Sequence, residues 1–305
     1  MALSDSRVWL ITGSSQGLGK ALLDAVLAAG ERAVATLRKP GQLETLKNQY
    51  PASQLLAIPL DVTNQSQIKN AFEETKKHFG QLDVVVNNAG YGLSSEIETT
   101  PEDEARRQVE VLLWGPVHIC QQAIRFFRDV NPSGHGGHII NITSVGGYNG
   151  HPGSAFYHTG KFALEGFTES LAREMLPEWN IKATIVEPGG FRTEWAASSL
   201  VVLPSLPVYQ QEHAPSEAMR RIRDPKHFIG DPTKAAQALW KIAGRKDLPT
   251  RIQLGTDSLL MVRLKAKRTM EDTSNPEWEE LAHSTNFDGV DKDNVLQRLE
   301  AAWKR

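Results

Sequence analysis

Apolar residues along this chain come in short unbroken runs, separated by longer stretches in which they recur at every third or fourth position. Val8-Trp9-Leu10-Ile11 is one such run: too short for a helix, and apolar throughout, as a strand buried on both faces of a parallel sheet must be. Leu18, Leu22, Val26 and Leu27 follow at helical spacing until Gly30, which predicts a helix that stops there. The cycle repeats. Ala33 to Leu37 precedes a helix after Pro40-Gly41, and Leu55 to Leu60 precedes the helix of Ile68 and Phe72. Leu82 to Val86 leads through Asn87-Asn88-Ala89-Gly90 to a long helix from about Pro101 to Val130. His138 to Ile142 precedes a helix from about Ser154 to Met175, and Ile181 to Val186 ends at Pro188-Gly189. Strands joined by crossover helices must pair in parallel. With Arg251 to Leu254 as a last strand, the expected fold is α/β: a doubly wound parallel sheet of about seven strands, with helices on both faces. Its ligand belongs at the carboxyl ends of the strands.

The rhythm breaks after Thr193. Residues 195 to about 230 carry Trp195, Leu200 to Leu203 and Tyr209 without a clear period, and read as a lid of apolar surface over a substrate. A helix from Pro232 to about Ile242 follows, and the last 45 or so residues are charged and helical in places. The expectation is one domain over 1–305, with a cofactor-binding and catalytic core at 5–193, a lid at 194–230, and the last strand and C-terminal helices at 231–305. Composition narrows the partners: a net charge of −2, with Lys and Arg scattered, gives no footprint for nucleic acid. Apolar runs all fall short of the ~20 residues that span a bilayer. Cys120 is the only cysteine, so no intrachain disulfide can form, which suits a reducing compartment. With the first strand beginning near Val8, no room is left for a signal peptide, and a cytoplasmic address is expected. A homo-oligomer is compatible with this composition.

Two motifs carry chemistry. In Thr12-Gly13-Ser14-Ser15-Gln16-Gly17-Leu18-Gly19 the first glycine permits a tight turn out of the strand. The later ones let backbone and helix approach a pyrophosphate, whose charge meets amide N–H groups at the helix start. The second motif is Ser144 with Tyr157 and Lys161. Positions i and i+4 share a helix face, so the last two can point into one site. A free phenol ionises near about 10 and is a poor proton shuttle, whereas a nearby ammonium lowers that value. Tyr157 is thereby a candidate acid for a carbonyl oxygen, Lys161 its activator, and Ser144 the hydroxyl that orients the substrate.

These motifs, in this order, resemble the short-chain dehydrogenase/reductase family, with motif matches across roughly residues 5 to 193. The resemblance implies a Rossmann-type domain that moves hydride between a nicotinamide and a carbonyl or alcohol. It also implies that Asp61 and Val62 border the adenine, that Asn88, Ala89 and Gly90 line the ribose, and that Lys161 also binds the nicotinamide ribose. Pro188, Gly189, the Phe191 backbone and Thr193 belong to the segment that holds the carboxamide. One residue departs from the pattern. Where the family usually has an Asn that keeps a water linked to the lysine, this chain has Leu112.

Cofactor choice rests on the end of the second strand, where an acid suits the ribose 2′-OH of NAD and an arginine suits the 2′-phosphate of NADP. The chain reads Thr36-Leu37-Arg38-Lys39, so Arg38 predicts NADP(H) over NAD(H), although Gln16 is not the basic residue common in NADP-preferring relatives. His151 and His158 read as polar surface or loop groups, and the sequence offers no convergent metal-ligand set. The leading function is an oxidoreductase acting on a small, largely apolar ketone or aldehyde, or the corresponding alcohol. A dinucleotide-binding sensor with little turnover is the alternative; Leu112 alone supports it, and the intact Ser144, Tyr157 and Lys161 oppose it.

Overall fold

Seven parallel strands form the central sheet of this computed structural model, which describes residues 6–194, 199–222 and 224–303. They are β1 (Val8–Thr12), β2 (Arg32–Leu37), β3 (Leu55–Pro59), β4 (Val84–Asn87), β6 (Gly137–Ile142), β7 (Ile181–Pro188) and β9 (Arg251–Leu254), in the order β3-β2-β1-β4-β6-β7-β9. Although Val8 to Ile11 is apolar at every position, a period of two persists inside it. Val8 and Leu10 face one core while Trp9 and Ile11 face the other. The first core is closed by α3 (Gln65–Phe79), α5 (Gly115–Asp129) and α6 (Ala155–Glu174), through Phe72, Phe126, Phe127 and Leu171. The second is closed by α1 (Gly17–Ala28) and α8 (Pro232–Ala243), through Leu22, Leu23, Val26, Leu239 and Ile242.

Helix ends follow their local chemistry. The Asn64 side chain accepts from Gln67 N–H at the start of α3, and Gly80, at φ +68°, ends it in a left-handed cap. The long helix expected after Pro101 is present with a difference: α4 (Glu102–Val109) joins α5 through a widened π turn over Glu110–Trp114. Gly115 N–H reaches the Glu110 carbonyl, and Pro116 has no N–H with which to continue the α ladder.

The aperiodic segment contains β8 (Leu200–Val202), which pairs in parallel with β5 (Gly92–Ser94), and a short helix, α7 (Pro215–Ile222). Strands of three residues are too short to show a period. Trp195, expected in the lid, lies outside the described residues. The chain divides into two compact units, Met1–Leu259 and Leu260–Arg305. The second comprises the rest of α9 (Thr256–Thr273), α10 (Pro276–Ser284) and α11 (Lys292–Trp303), and none of its described side chains is fully buried. Among the described residues no helix is long and apolar enough to cross a membrane.

Strand order reverses between β1 and β4, so the chain leaves these two neighbours toward opposite flanks of the sheet. The carboxyl ends of β1, β4, β6 and β7 therefore lie side by side at a topological switch point, where ligands of open α/β sheets bind.

Candidate active site

At the end of β1 the chain turns through Gly13, φ +67°, and Gly17, φ +58°, a region open to glycine and costly for other residues. A Cβ on Gly13 would lie 2.9 Å from the Ala89 Cα, and one on Gly19 would overlap the Asn88 amide and the Gly13 carbonyl. The loop is thus built against Asn88, whose Nδ2 donates to the Thr12 carbonyl at 2.9 Å. The Thr12 hydroxyl in turn accepts from the N–H groups of Asn88 and Ala89, both at 3.0 Å. Ser14 is anchored twice, by its hydroxyl on the Ile11 carbonyl and by its N–H on the Thr36 carbonyl of β2. The second bond brings Arg38, exposed and two residues further on, to the edge of the loop. No acid pairs with Arg38 among the described residues.

The other expected cofactor residues follow the ends of neighbouring strands. Asp61 caps its own turn, accepting from the Thr63 N–H and hydroxyl at 3.0 and 2.8 Å, and Val62 packs under Gly115. After β7, Gly189 N–H donates to the Leu254 carbonyl and Gly190 N–H to Asp257 at 2.6 Å, fixing the turn that presents Phe191 and Thr193. The Thr193 side chain stands by Gly17, closing the ring of segments. Gln16 Nε2 donates to the Ser199 hydroxyl at 2.7 Å, tying the segment that holds Ser199 to the glycine loop. Further along it, the Tyr209 hydroxyl donates to Glu98, and Arg220 pairs with the buried Glu96 at 2.5 Å.

Ser144 follows β6 in extended backbone and its Oγ accepts from Gly146 N–H at 3.0 Å. Tyr157 and Lys161 lie on one face of α6. Lys161 is buried; its Nζ donates to the Ile142 carbonyl at 2.8 Å and lies 5.9 Å from the centre of the Tyr157 ring. The strand that delivers Ser144 thus also holds the lysine. Burial pushes the Lys161 ammonium down to about 8, against the opposing pull of Glu165. It therefore keeps most of its charge at neutral pH.

Leu112 occupies the π turn and is fully buried. A Cβ on Gly90 would lie 2.9 Å from its Cδ2, and one on Gly160 2.8 Å from its Cβ. It is wedged between the loop of Gly90 and the helix of Tyr157 and Lys161, as a packing residue, and the Ile142 carbonyl takes the lysine's hydrogen bond.

His158 corrects the expectation of a surface group. It is buried, its Nδ1 is 2.7 Å from the Gly146 carbonyl, and its ring stands edge-on to Tyr157 at 5.7 Å. It ties the Ser144 loop to α6. Two further groups escaped the sequence reading. Asn87, Asn141 and Thr168 form a buried chain, with 2.8 Å between successive partners. Glu165, one turn beyond Lys161, meets Arg251 of β9 at 3.2 Å, and Arg251 also pairs with Glu169 and Glu187. An acid on a helix reads as a solvated charge, and its basic partner is 86 residues away.

A family model described as short chain dehydrogenase matches residues 7–200. The chain is 37% identical over 295 residues to the uncharacterized oxidoreductase C162.03 of Schizosaccharomyces pombe, covering 96% of this chain and 97% of that protein. It is 31% identical over 251 residues to the 3-ketodihydrosphingosine reductase of Bacteroides thetaiotaomicron, covering 82% and 88%. Among solved structures, a short-chain dehydrogenase from Streptomyces avermitilis superposes with a TM-score of 0.82 at 31% identity, over 92% of this chain and 99% of that one. The chain belongs to the short-chain dehydrogenase/reductase family and is an oxidoreductase of that family, whose members use NAD(P).

Proposed function

We propose that the protein is an NADP(H)-dependent carbonyl reductase, or alcohol dehydrogenase in the reverse direction, acting on a largely apolar ketone or aldehyde. The observation that carries this reading is the buried Lys161 ammonium beside Tyr157, fixed to the strand that ends at Ser144. A bound NADPH supplies the hydride. Ser144 donates to the substrate carbonyl oxygen, its own Oγ already held by Gly146 N–H. Tyr157 gives that oxygen its proton, and the Lys161 charge favours the phenolate left behind. Gly13 to Gly19, including Ser15 and Leu18, cradle the pyrophosphate. Asp61, Val62 and Asn88 to Gly90 flank the adenosine and ribose, and Pro188 to Thr193 the nicotinamide. Residues 5–193 then act as the cofactor-binding and catalytic part of one functional domain, with 194–230 as its lid. A reducing compartment such as the cytoplasm suits Cys120, which is buried and whose thiol is pushed up to about 12 by burial.

Arg38 supports the choice of NADP(H), because a guanidinium pairs with a phosphate through charge-assisted bonds. The wild type is expected to favour NADPH over NADH by at least about tenfold in kcat/KM, which is ~1.4 kcal/mol. Arg38→Asp should reverse the order, since a carboxylate repels the 2′-phosphate and accepts from a 2′-OH. Equal kcat/KM for the two cofactors in the wild type would remove Arg38 from this role.

The apolar substrate class is supported by Val201, Val202 and Leu206, each at least 40% exposed on the lid segment. Covering such surface is favourable by about 25 cal/mol per Å². A panel of ketones and aldehydes, followed by loss of NADPH absorbance, is expected to show turnover that rises with apolar character. Turnover confined to phosphosugars or other highly charged carbonyls would refute this assignment.

A further inference from the structure

Behind Lys161, away from the reacting groups, the first unit buries more negative charge than the visible ion pairs need. Glu165 is 2% exposed and Glu187 is fully buried, while Glu169 is partly exposed. All three converge on one guanidinium, that of Arg251, at 3.2, 3.4 and 2.6 Å. Three carboxylates against one cation leave a surplus of negative charge. Burying it is costly unless a proton or another cation answers it. Gln253, which donates to Glu187 at 2.7 Å, is neutral, and the Tyr148 ring 5.8 Å from Arg251 carries no charge to offset it. The buried cation on the same helix is Lys161, four residues before Glu165 and on the same face of α6.

The placement of Glu165 also ties it to the substrate side. Its carboxylate lies directly against Gly147, in the loop that Ser144 begins, so that a Cβ at Gly147 would overlap it. The groups facing Glu165 are Arg251 from β9, Glu187 from β7, the Thr143 hydroxyl after β6, and Lys161 and Glu169 from its own helix. Arg251 fixes the carboxylate from the sheet edge, and the loop closes over it.

We propose that Glu165 is a positioning residue for the reaction: its buried carboxylate, held by Arg251 beneath the Ser144 loop, keeps the Lys161 ammonium charged and so sets the alkaline limit of turnover. This rests on the reading of Lys161 as the activator of Tyr157. Burial, seconded by the Glu187 carboxylate, pushes Glu165 up to about 7, and Lys161 sits at about 8. Paired with the Arg251 guanidinium at 3.2 Å, Glu165 is a carboxylate in the alkaline range, where Lys161 loses its proton. Below that range the lysine is charged without help. The sign follows: neutralising Glu165 lowers the pH at which Lys161 deprotonates, and the alkaline fall of kcat/KM moves to lower pH with it.

The test is a titration of the full-length protein labelled with 13Cε-lysine, in which the Lys161 signal is assigned by its loss in Lys161→Arg. The pH profile of kcat/KM is measured alongside. Glu165→Gln is expected to lower the Lys161 midpoint by about one pH unit, tenfold in proton affinity, and the alkaline limb by the same amount. Arg251→Gln should shift both in the same direction, because a buried carboxyl stripped of its cation takes up a proton. It carries the test should Glu165→Gln not fold. Glu187→Gln removes a competitor for ionisation at Glu165 and must not lower the midpoint. An unmoved midpoint in Glu165→Gln, or an equal fall in Glu187→Gln, would overturn the proposal, the second by exposing general disruption. A midpoint that falls while the alkaline limb stays put would instead refute the catalytic reading of Lys161 and leave the electrostatic link standing.

Discussion

Tyr157→Phe is expected to lower kcat by about a thousandfold while leaving the affinity for NADPH within a factor of two or so, since positioned proton transfer contributes about 10²–10⁴. Phenylalanine keeps the ring that packs edge-on against His158 at 5.7 Å, so the helix and the Ser144 loop should hold their places. What it removes is the proton that must reach the substrate oxygen in the transition state, an interaction absent from cofactor binding. Steady-state kinetics with an active ketone, together with fluorescence titration of NADPH, separates these effects. A variant retaining more than a tenth of the wild-type rate would require another acid.

Leu112→Asn, the change that restores the residue the family usually has there, is expected to weaken the protein and bring no gain in rate. Leu112 is fully buried, packed closely against Gly90 and Gly160. Removing a buried leucine forfeits about 1.5–3 kcal/mol of transfer free energy. An amide buried without partners costs about 1–3 kcal/mol more. A combined loss of roughly 3–5 kcal/mol should lower the melting temperature by about 5–8 °C in a chain of this size. The measurement pairs a thermal melt with kcat and its solvent isotope effect. A stable variant with a higher kcat and an altered isotope effect would mean that proton supply to Lys161 does run past position 112.

The uneven legibility of this chain has physical reasons. The sheet strands could be read because a strand buried on both faces is apolar at every position, as in Val8 to Ile11. The placement of the glycine loop, and of Ser144, Tyr157 and Lys161, could be read because each set lies within one strand–turn–helix unit. Non-local features could not. β5 and β8 are three residues each and define one another across about a hundred residues of chain. The π turn depends on Pro116 and on tight packing of Leu112, neither of which has a sequence period. His158 looks like any polar residue until the Gly146 carbonyl is placed 2.7 Å from its ring nitrogen. Glu165 gives the same lesson, because its meaning comes from Arg251 on the far strand of the sheet.

The central claim is that these groups transfer a hydride to a carbonyl carbon while Tyr157 protonates the oxygen. Its most direct test uses NADPH carrying deuterium at the transferable position of the nicotinamide, incubated with the protein and an apolar ketone, with the product analysed by mass spectrometry. The account predicts an alcohol that is one mass unit heavier, labelled on the carbinol carbon, formed by the wild type and reduced to trace amounts in Tyr157→Phe. Failure of the wild type to form labelled alcohol from any ketone or aldehyde in a broad panel, despite tight NADPH binding, would contradict it.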